Sequence, residues 1–235
     1  MGNSWFQFQQ FKIHQDRCAM KISTDAVLLG SLADCWNART ILDVGTGTGV
    51  VALMLAQRAP HARIMAVEID ADASKQAMEN FRESPFSERL DLFFGRFQDF
   101  LHPNQFELLV SNPPYFENHL KSKDPKRNKA LHTDELSFRD LAEHTQRWLS
   151  PSGQIWIILP PRQMEELRRF FLSVGLRERK RIRIRDREAS QVFREVCGFR
   201  FEEGEIDLKD LVLKDENGGF SPGYQRLLSG FLLGY

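Results

Sequence analysis

The sequence lacks three features that each define a class of protein: an excess of one charge sign, a long apolar run and clustered cysteines. Its 32 Lys and Arg balance 32 Asp and Glu among 235 residues, whereas a nucleic-acid-binding domain is usually basic. The longest apolar stretches, such as 154–159, fall far short of the ~18 residues of a membrane helix. Residues 1–6 carry no secretory signal. These absences predict a cytoplasmic protein that contacts no membrane.

Metal-binding and disulfide patterns are also missing. The three cysteines, Cys18, Cys35 and Cys197, are widely spaced and form no CxxC pair. The six histidines are scattered and never lie at the spacing of metal ligands. We therefore expect reduced thiols without a disulfide framework, and no metal site.

Strand-like and helix-like segments alternate along the middle of the chain. This alternation predicts an α/β fold with a mostly parallel, doubly wound, Rossmann-like sheet. The predicted strands are 40–44, 63–69, 90–94, 106–110 and 154–159, and the predicted helices are 50–56, 71–82 and 136–149. Three later stretches predict consecutive antiparallel C-terminal strands, namely 177–187, 196–202 and 206–214. A last helix is predicted from Ser221 to about residue 232.

The first 38 residues lack this alternation. We interpret residues 1–38 as an N-terminal cap segment and residues 39–235 as the α/β domain, the two together forming one structural unit. Thr24 precedes an apolar run and is the predicted N-cap of a helix. The cap would carry three cations toward a substrate, namely Lys12, Arg17 and Lys21. The alternative is a helix that only packs on the domain and leaves these three charges solvated.

A glycine-rich loop, Gly45-Thr-Gly-Thr-Gly49, lies between the first predicted strand and helix. Glycines let the backbone turn sharply near a ligand, and the helix N-terminus offers free N–H groups to an anionic group. The GxGxG spacing is tighter than the GxGxxG dinucleotide fingerprint. Glu68 ends the second strand, where a carboxylate can accept both hydroxyls of a ribose. The alternative for the loop is an ordinary glycine turn.

Asp99 follows the third predicted strand. At this edge of the sheet its carboxylate would accept a hydrogen bond from an adenine amino group. A helix cap or a solvated turn is the alternative interpretation of Asp99.

The fourth strand ends in Asn112-Pro-Pro-Tyr115. Ligands of open α/β sheets bind beyond the carboxyl ends of the strands, so this tetrapeptide faces the same crevice as the glycine loop. Two prolines remove backbone donors and leave carbonyls as acceptors, while Asn112 adds a side-chain carbonyl and Tyr115 a flat ring. Acceptors that hold both N–H bonds of a planar amino group turn its nitrogen lone pair toward an incoming methyl group, and this chemistry needs no general base. The tetrapeptide therefore favours methylation of a planar amino group. A rigid Pro-Pro turn with a packed tyrosine is the alternative.

These motifs together resemble the class I S-adenosylmethionine-dependent methyltransferases that act on amino groups. The resemblance implies that the loop holds the methionine part of S-adenosylmethionine, Glu68 the ribose and Asp99 the adenine. The implied cofactor-binding residues are Asp43, Gly45, Thr46, Gly47, Gly49, Glu68, Asp99 and Asn112. The residues implied to hold and stack the target amine are Asn112, Pro113, Pro114 and Tyr115, with Phe116 beside them.

The flanking segments are similar to one branch of that family, the bacterial adenine-N6 methyltransferases of valine tRNA. They are 8–12, 16–21, 24–30, 127–141, 211–215 and 224–228. The resemblance implies methylation of adenine-37, beside the anticodon, by a monomer or weak dimer. One position departs from the pattern, because Leu131 stands where the family has an arginine. The alternatives are a guanine-N2 rRNA methyltransferase, a glutamine-N5 protein methyltransferase, or an RNA-binding protein with an inactive methyltransferase domain.

Two short windows, 121–129 and 177–187, hold twelve of the basic residues and only three acids. The zero net charge is therefore an average over a basic face and an acidic remainder, and it is compatible with salt-sensitive binding of tRNA. We predict that side chains of both windows bind tRNA, namely Lys121, Lys123, Lys126, Arg127, Lys129, Arg181, Arg183 and Arg185. A solvated loop is the alternative for the first window.

Arginine occupies every odd position of the second window. Alternate residues of a strand share one face, so the pattern predicts a ladder of six guanidiniums with Ile182 and Ile184 facing inward. The alternative is an edge strand whose charges prevent aggregation.

Overall fold

The computed structural model describes residues 3–18, 21–114 and 136–234. Short 3₁₀ turns lie at Ser87–Arg89 and Phe97–Asp99. The helices and strands, in chain order, are β1 (Trp5–Gln7), β2 (Lys12–His14), α1 (Thr24–Leu32), β3 (Thr40–Val44), α2 (Val50–Arg58), β4 (Arg63–Glu68), α3 (Ala71–Glu83), β5 (Leu90–Phe94), β6 (Phe106–Ser111), α4 (Phe138–Trp148), β7 (Leu149–Leu159), α5 (Pro161–Ser173), β8 (Arg177–Arg185), β9 (Val192–Arg200), β10 (Asp207–Val212) and α6 (Pro222–Leu228).

One large sheet organises the described part of the chain, with strand order β10-β8-β9-β7-β6-β3-β4-β5. Strands β5, β4, β3, β6 and β7 pair in parallel, and β9 is antiparallel to both β7 and β8. Strands β1 and β2 form a separate antiparallel hairpin. The predicted Rossmann-like sheet with antiparallel C-terminal strands is confirmed.

One C-terminal pairing differs from the prediction. Strand β10 pairs in parallel with β8, with Asp207 opposite Lys180, whereas consecutive antiparallel strands were predicted. The reason is that β8 lies between β9 and β10. After β9 the chain reverses direction and passes to the far side of β8. Since β9 is antiparallel to β8, strand β10 then runs parallel to β8. Strand β10, not β8, is therefore the edge strand at this end.

The segment between β7 and β8 holds a helix that the sequence analysis did not assign. Helix α5 has Pro at its first turn and buries apolar residues at helical spacing, Met164, Leu167 and Phe171. Residues 151–153, which lie between the predicted helix 136–149 and the predicted strand 154–159, belong to β7. There the pairing with β6 changes register, from Phe106 with Leu149 to Leu108 with Gln154, as in a β-bulge.

Side chains of the central strands alternate between two cores, one on each face of the sheet. Along β7, Ile155 and Ile157 pack in one core, and Trp156 and Ile158 pack in the other. Helices α1 and α2 cover the Trp156 side, while α4 and α5 cover the Ile155 side. Strands buried on both faces read as continuous apolar runs, which is the pattern observed in the sequence.

The N-terminal segment packs into the same core as the rest of the domain. Phe8 and Ile13 are fully buried in the cluster that contains Leu53 of α2. Helix α1 is capped by Ser23, whose Oγ accepts a hydrogen bond from the Ala26 N–H at 3.2 Å. The predicted cap, Thr24, is instead the first helical residue, one position later. The division into segments 1–38 and 39–235 stays a prediction.

Candidate functional site

A cavity of about 260 Å³ opens at the carboxyl ends of β3 to β6. Parallel strands point their carboxyl ends to one edge of the sheet, so the loops after each strand meet there. The glycine loop after β3 and the end of β4 form one wall, and Gly95, Arg96, Phe97 and Gln98 after β5 form another. The end of β6 closes the cavity with Ser111, Asn112, Pro113 and Pro114.

Gly45 and Gly47 line the cavity with backbone that only glycine adopts easily. Their φ angles are +75° and +57°, and a Cβ added to either would meet no atom within 4 Å. The loop therefore leaves open space for a ligand next to its backbone. Gly49 serves a different purpose, because a Cβ there would lie 2.5 Å from the Phe81 ring of α3. It is not among the residues that line the cavity and it allows the loop to pack on α3, while its predicted contact with the cofactor stays a prediction.

Glu68 connects the end of β4 to the glycine loop. Its buried carboxylate accepts the Gly47 N–H at 2.8 Å through Oε2 and the Asp70 N–H at 2.9 Å through Oε1. A carboxylate has about four lone-pair positions, so both oxygens keep acceptor capacity for a ligand in the cavity. This geometry suits two neighbouring hydroxyl groups.

Asp43 and Thr46 lie behind the loop rather than in the cavity wall described by the structure. The Thr46 hydroxyl donates a hydrogen bond to Asp43 Oδ2 at 2.6 Å, and both side chains are buried. Burial raises the pKa of Asp43 to about 7 although the Thr46 hydroxyl opposes the shift. Asp43 is thus a buried acid that supports the loop, and its predicted contact with a cofactor stays a prediction.

The raised pKa of Asp43 predicts a pH-dependent stability. Between about pH 4 and pH 7 the folded protein keeps a proton that the unfolded chain releases, so the free energy of unfolding falls as pH rises through this window. At about 1.4 kcal/mol per tenfold difference in proton affinity, the loss is at most roughly 4 kcal/mol. In Asp43→Asn this contribution should disappear. Urea unfolding at pH 5 and pH 7.5 tests this, and an unchanged pH slope in the variant would contradict it.

Asp99 lies just outside the cavity wall formed by the preceding residues. Its side chain is 66% exposed and its Oδ2 lies 4.0 Å from Arg96 Nε. The residues that line the cavity after β5 are Gly95, Arg96, Phe97 and Gln98. The adenine contact of Asp99 therefore stays a prediction.

The end of β6 places the predicted acceptors at the cavity. Asn112 is half-buried, Pro113 is buried and Pro114 is exposed, and all three line the cavity. The Ser111 hydroxyl donates to the Val44 carbonyl at 2.8 Å, which fixes the end of β6 against β3 beside the glycine loop. Tyr115, Phe116, Leu131 and the five basic residues Lys121, Lys123, Lys126, Arg127 and Lys129 lie outside the described residues.

Ile69 and Cys18 are among the wall residues that were not predicted from the sequence. Ile69 follows Glu68 at the strand end and presents an apolar, partly exposed side chain to the cavity. Cys18 reaches the cavity from the N-terminal segment. Burial raises the pKa of the Cys18 thiol to about 11, and the nearby carboxylates of Glu68 and Asp70 add to the effect. The thiol is therefore neutral at physiological pH, and no local motif marks it.

The predicted ladder of six guanidiniums is interrupted at Arg179, so the prediction that all six share one face is wrong. Ile182 and Ile184 are buried as expected, but the pairing of β8 shifts register between Glu178 and Lys180. Arg179 consequently lines a separate cavity together with Lys180 and Trp156. The other arginines of the strand face carboxylates, namely Arg177 with Glu203, Arg181 with Glu178, and Arg183 and Arg185 with Asp210.

The Arg181 pair belongs to a buried network beneath α5. Glu178 accepts hydrogen bonds from Arg181 and from Arg168, and Arg168 also donates to Glu195 at 2.6 Å. Burial alone would raise the pKa of Glu178, but the hydrogen bonds from both arginines hold it below its usual value. The network joins α5 to β8 and β9, so Arg181 supports the packing of α5 on the sheet, and its predicted contact with tRNA stays a prediction.

Within the described ranges, no three His, Cys, Asp or Glu side chains are grouped so as to hold a metal ion. A search of the same ranges finds no helix with the length and apolarity needed to cross a membrane.

The strand order, the glycine loop after β3 and the Asn-Pro-Pro turn after β6 define a methyltransferase of the Rossmann-like class. The chain matches the methyltransferase small domain family over residues 23–179. It is 40% identical to a protein of Phocaeicola vulgatus named tRNA1(Val) (adenine(37)-N6)-methyltransferase, over 99% of both chains. It is 39% identical to a protein of the same name from Pedobacter heparinus, over 98% of both. The chain therefore belongs to the methyltransferase small domain family and, within it, to the tRNA1(Val) (adenine(37)-N6)-methyltransferases.

A solved structure supports the fold assignment. The predicted O-methyltransferase Atu636 from Agrobacterium tumefaciens superposes with a TM-score of 0.65 at 19% sequence identity. The superposition covers 88% of this chain and 96% of that one. At this identity the likeness concerns the fold alone.

Proposed function

We propose that this protein transfers a methyl group from S-adenosylmethionine to N6 of adenine-37 in valine tRNA, acting in the cytoplasm as a monomer or weak dimer. The observation that carries the proposal is the juxtaposition of two halves of a site in one cavity. Gly45, Gly47 and Glu68 form a nucleoside-binding half, and Asn112 and Pro113 present acceptors for an amino group. The names of the full-length relatives supply the particular base and tRNA.

The walls of the cavity fit S-adenosylmethionine. Glu68 has free acceptor capacity for the ribose hydroxyls, and the open space beside Gly45 and Gly47 suits the methionine part. Ile69 and Phe97 supply apolar surface for a purine ring. When bound, the cofactor supplies an electrophilic methyl group on a sulfonium.

The chain's own residues would orient the acceptor nitrogen. The side-chain carbonyl of Asn112 and the backbone carbonyl of Pro113 accept the two N6 hydrogens of adenine, which turns the nitrogen lone pair toward the methyl group. Held by Gly45, Gly47 and Glu68, the cofactor would supply its methyl group to this nitrogen and leave as the thioether, and N6 would lose one proton to solvent. The base must first leave its stack, and Tyr115 with Phe116 would hold it by ring contacts. Catalysis would depend on positioning the acceptor nitrogen in line with the methyl group, because this transfer requires no general base.

Recognition of the tRNA would involve Arg181, Arg183, Arg185 and the basic window 121–129. The arginines are ion-paired in the free protein, so a phosphate must compete with their carboxylates. Asp210 is the partner most open to exchange, because it accepts hydrogen bonds from Arg183 on the surface. Exposed pairs of this kind contribute little to stability and exchange readily.

Removing the competing carboxylate should strengthen tRNA binding. In Asp210→Asn, Arg183 and Arg185 lose a charged partner and gain freedom to pair with phosphate, and we expect the Kd for tRNA to fall about two- to threefold at low salt. Filter binding at two salt concentrations measures the effect. The matched control is Asp91→Asn on β5, which carries an exposed carboxylate at the opposite end of the sheet. Equal Kd values for Asp210→Asn and wild type would contradict a role for these two arginines.

Nucleoside mass mapping of cellular tRNA tests the proposed function. Deletion of the gene should remove N6-methyladenine from valine tRNA, and a plasmid copy of the wild-type gene should restore it. Retention of the modified base in the deletion strain would contradict the proposal. Loss of N5-methylglutamine from release factors instead would assign the protein to another class of amine methyltransferase.

A further inference from the structure

We propose that Asn80 and Gln76 of α3 are positioning residues for the cofactor, because their side-chain amides hold residues 14–18 against the glycine loop. This inference rests on the proposed function, since it concerns binding of S-adenosylmethionine. Neither residue lines the cavity that the structure describes. Both act through backbone groups of the two walls that they join.

The Asn80 amide bridges two separate parts of the chain. Its Nδ2 donates to the Thr48 carbonyl in the glycine loop at 2.8 Å and to the His14 carbonyl at 2.9 Å. Its Oδ1 accepts the His14 N–H at 2.8 Å. The side chain is fully buried, so all three hydrogen bonds form away from water and their loss is costly. One amide therefore fixes the distance between the N-terminal segment and the loop.

Gln76, one turn before Asn80 on α3, also binds the N-terminal segment. It is also fully buried, and its Oε1 accepts the Arg17 N–H at 2.9 Å. Residues four apart on a helix lie on one face, so Gln76 and Asn80 present their amides side by side. On the surface of α3, Glu79 pairs with the Arg17 guanidinium and Glu83 contacts the His14 ring.

The last residue of this anchored segment forms part of the cavity. Cys18 lies directly after Arg17 and lines the cavity with Gly45, Gly47 and Glu68. On the other side of the bridge, Thr48 lies between Gly47, whose N–H is bound to Glu68, and Gly49, which packs on Phe81. Loss of the Asn80 bridge would release both walls at once. A ligand would then have to order them on binding, at a cost in affinity.

The test compares isosteric variants by calorimetry with S-adenosylhomocysteine, the product form of the cofactor, as the probe. Asn80→Asp keeps the acceptor for His14 but loses both N–H donors, and we expect its Kd to rise about tenfold. Gln76→Met loses only the Arg17 contact and should raise the Kd about threefold. Glu83→Ala removes the exposed partner of the same His14 and serves as the matched control, with an unchanged Kd.

Hydrogen exchange measured by mass spectrometry separates positioning from general destabilisation. In Asn80→Asp, amides of residues 14–18 and of the glycine loop should exchange faster than in wild type, and saturating S-adenosylhomocysteine should restore their protection. Turnover at saturating cofactor should stay within about threefold of wild type, since no reacting group is lost. The control for general destabilisation is Val196→Ala on β9, which should lower the stability of the same core at a position away from the Asn80 bridge.

The outcomes are distinguishable. Failure of the wild-type protein to bind S-adenosylhomocysteine would overturn the proposed function itself. Normal binding by wild type together with a Kd for Asn80→Asp within twofold of it would overturn this inference alone. An equal rise in Kd for Val196→Ala at a matched loss of thermal stability would also overturn it, because the effect would then be general.

Discussion

Asn112→Ala is expected to lower the turnover number of methyl transfer by about 100- to 1000-fold while S-adenosylmethionine still binds. The side-chain carbonyl of Asn112 is the one acceptor of the proposed pair that mutation can remove, since the Pro113 carbonyl belongs to the backbone. Loss of one positioned hydrogen-bonding group in an active site costs a factor of about 10² to 10³ in kcat. The residue lies at the end of β6 in the cavity wall.

Single-turnover transfer of labelled methyl to tRNA, with calorimetry of cofactor binding on the same preparation, measures the two effects separately. The matched control is Asn104→Ala, an exposed asparagine in the loop before β6. Its turnover should equal that of wild type. Turnover by Asn112→Ala within about threefold of wild type would contradict the assignment of the amine acceptor.

Glu68→Ala is expected to raise the Kd for S-adenosylmethionine by about 100-fold. Two effects act together. The ribose hydroxyls lose a charged acceptor, and each such hydrogen bond contributes about 1.5 to 3 kcal/mol. The Gly47 and Asp70 N–H groups also lose the carboxylate that holds the loop against the end of β4. Turnover at saturating cofactor should fall much less, because Glu68 contacts no reacting atom.

Calorimetric titration of S-adenosylmethionine gives the affinity directly, and Asp91→Ala on β5 controls for the loss of a carboxylate elsewhere on the sheet. The Kd of Glu68→Gln for S-adenosylmethionine should lie between those of wild type and Glu68→Ala, because the glutamine amide keeps one acceptor oxygen but turns its NH₂ group toward a backbone donor. An affinity for Glu68→Ala close to that of wild type would show that the ribose is held by other residues.

Much of the site was predictable because it is local. The glycine loop and Asn112 directly follow a strand end and Glu68 is itself the last residue of β4, and parallel strands bring such positions to one edge of the sheet. The same rule does not distinguish Asp99 from its neighbours Gly95, Arg96, Phe97 and Gln98, which line the cavity after β5. The exact role of Gly49 likewise depends on Phe81, a residue on the following helix.

The remaining features depend on partners that are distant in the sequence. Alternation alone predicted a ladder of arginines on one face and gave no partner for them, whereas Arg183 meets Asp210 because β10 lies beside β8. The contact between Asn80 and His14 joins residues 66 positions apart, and it requires β2 of the N-terminal segment to pack against α3. No periodicity of hydrophobic residues contains this information, because it arises from tertiary packing.

The most direct measurement of the central claim is methyl transfer in vitro to two transcripts of valine tRNA that differ only at position 37. With purified protein and labelled S-adenosylmethionine, the transcript with adenine-37 should gain one methyl group, recovered as N6-methyladenosine after digestion. The transcript with guanine-37 should gain none. Equal labelling of both transcripts, or label recovered in any nucleoside other than N6-methyladenosine, would contradict the account.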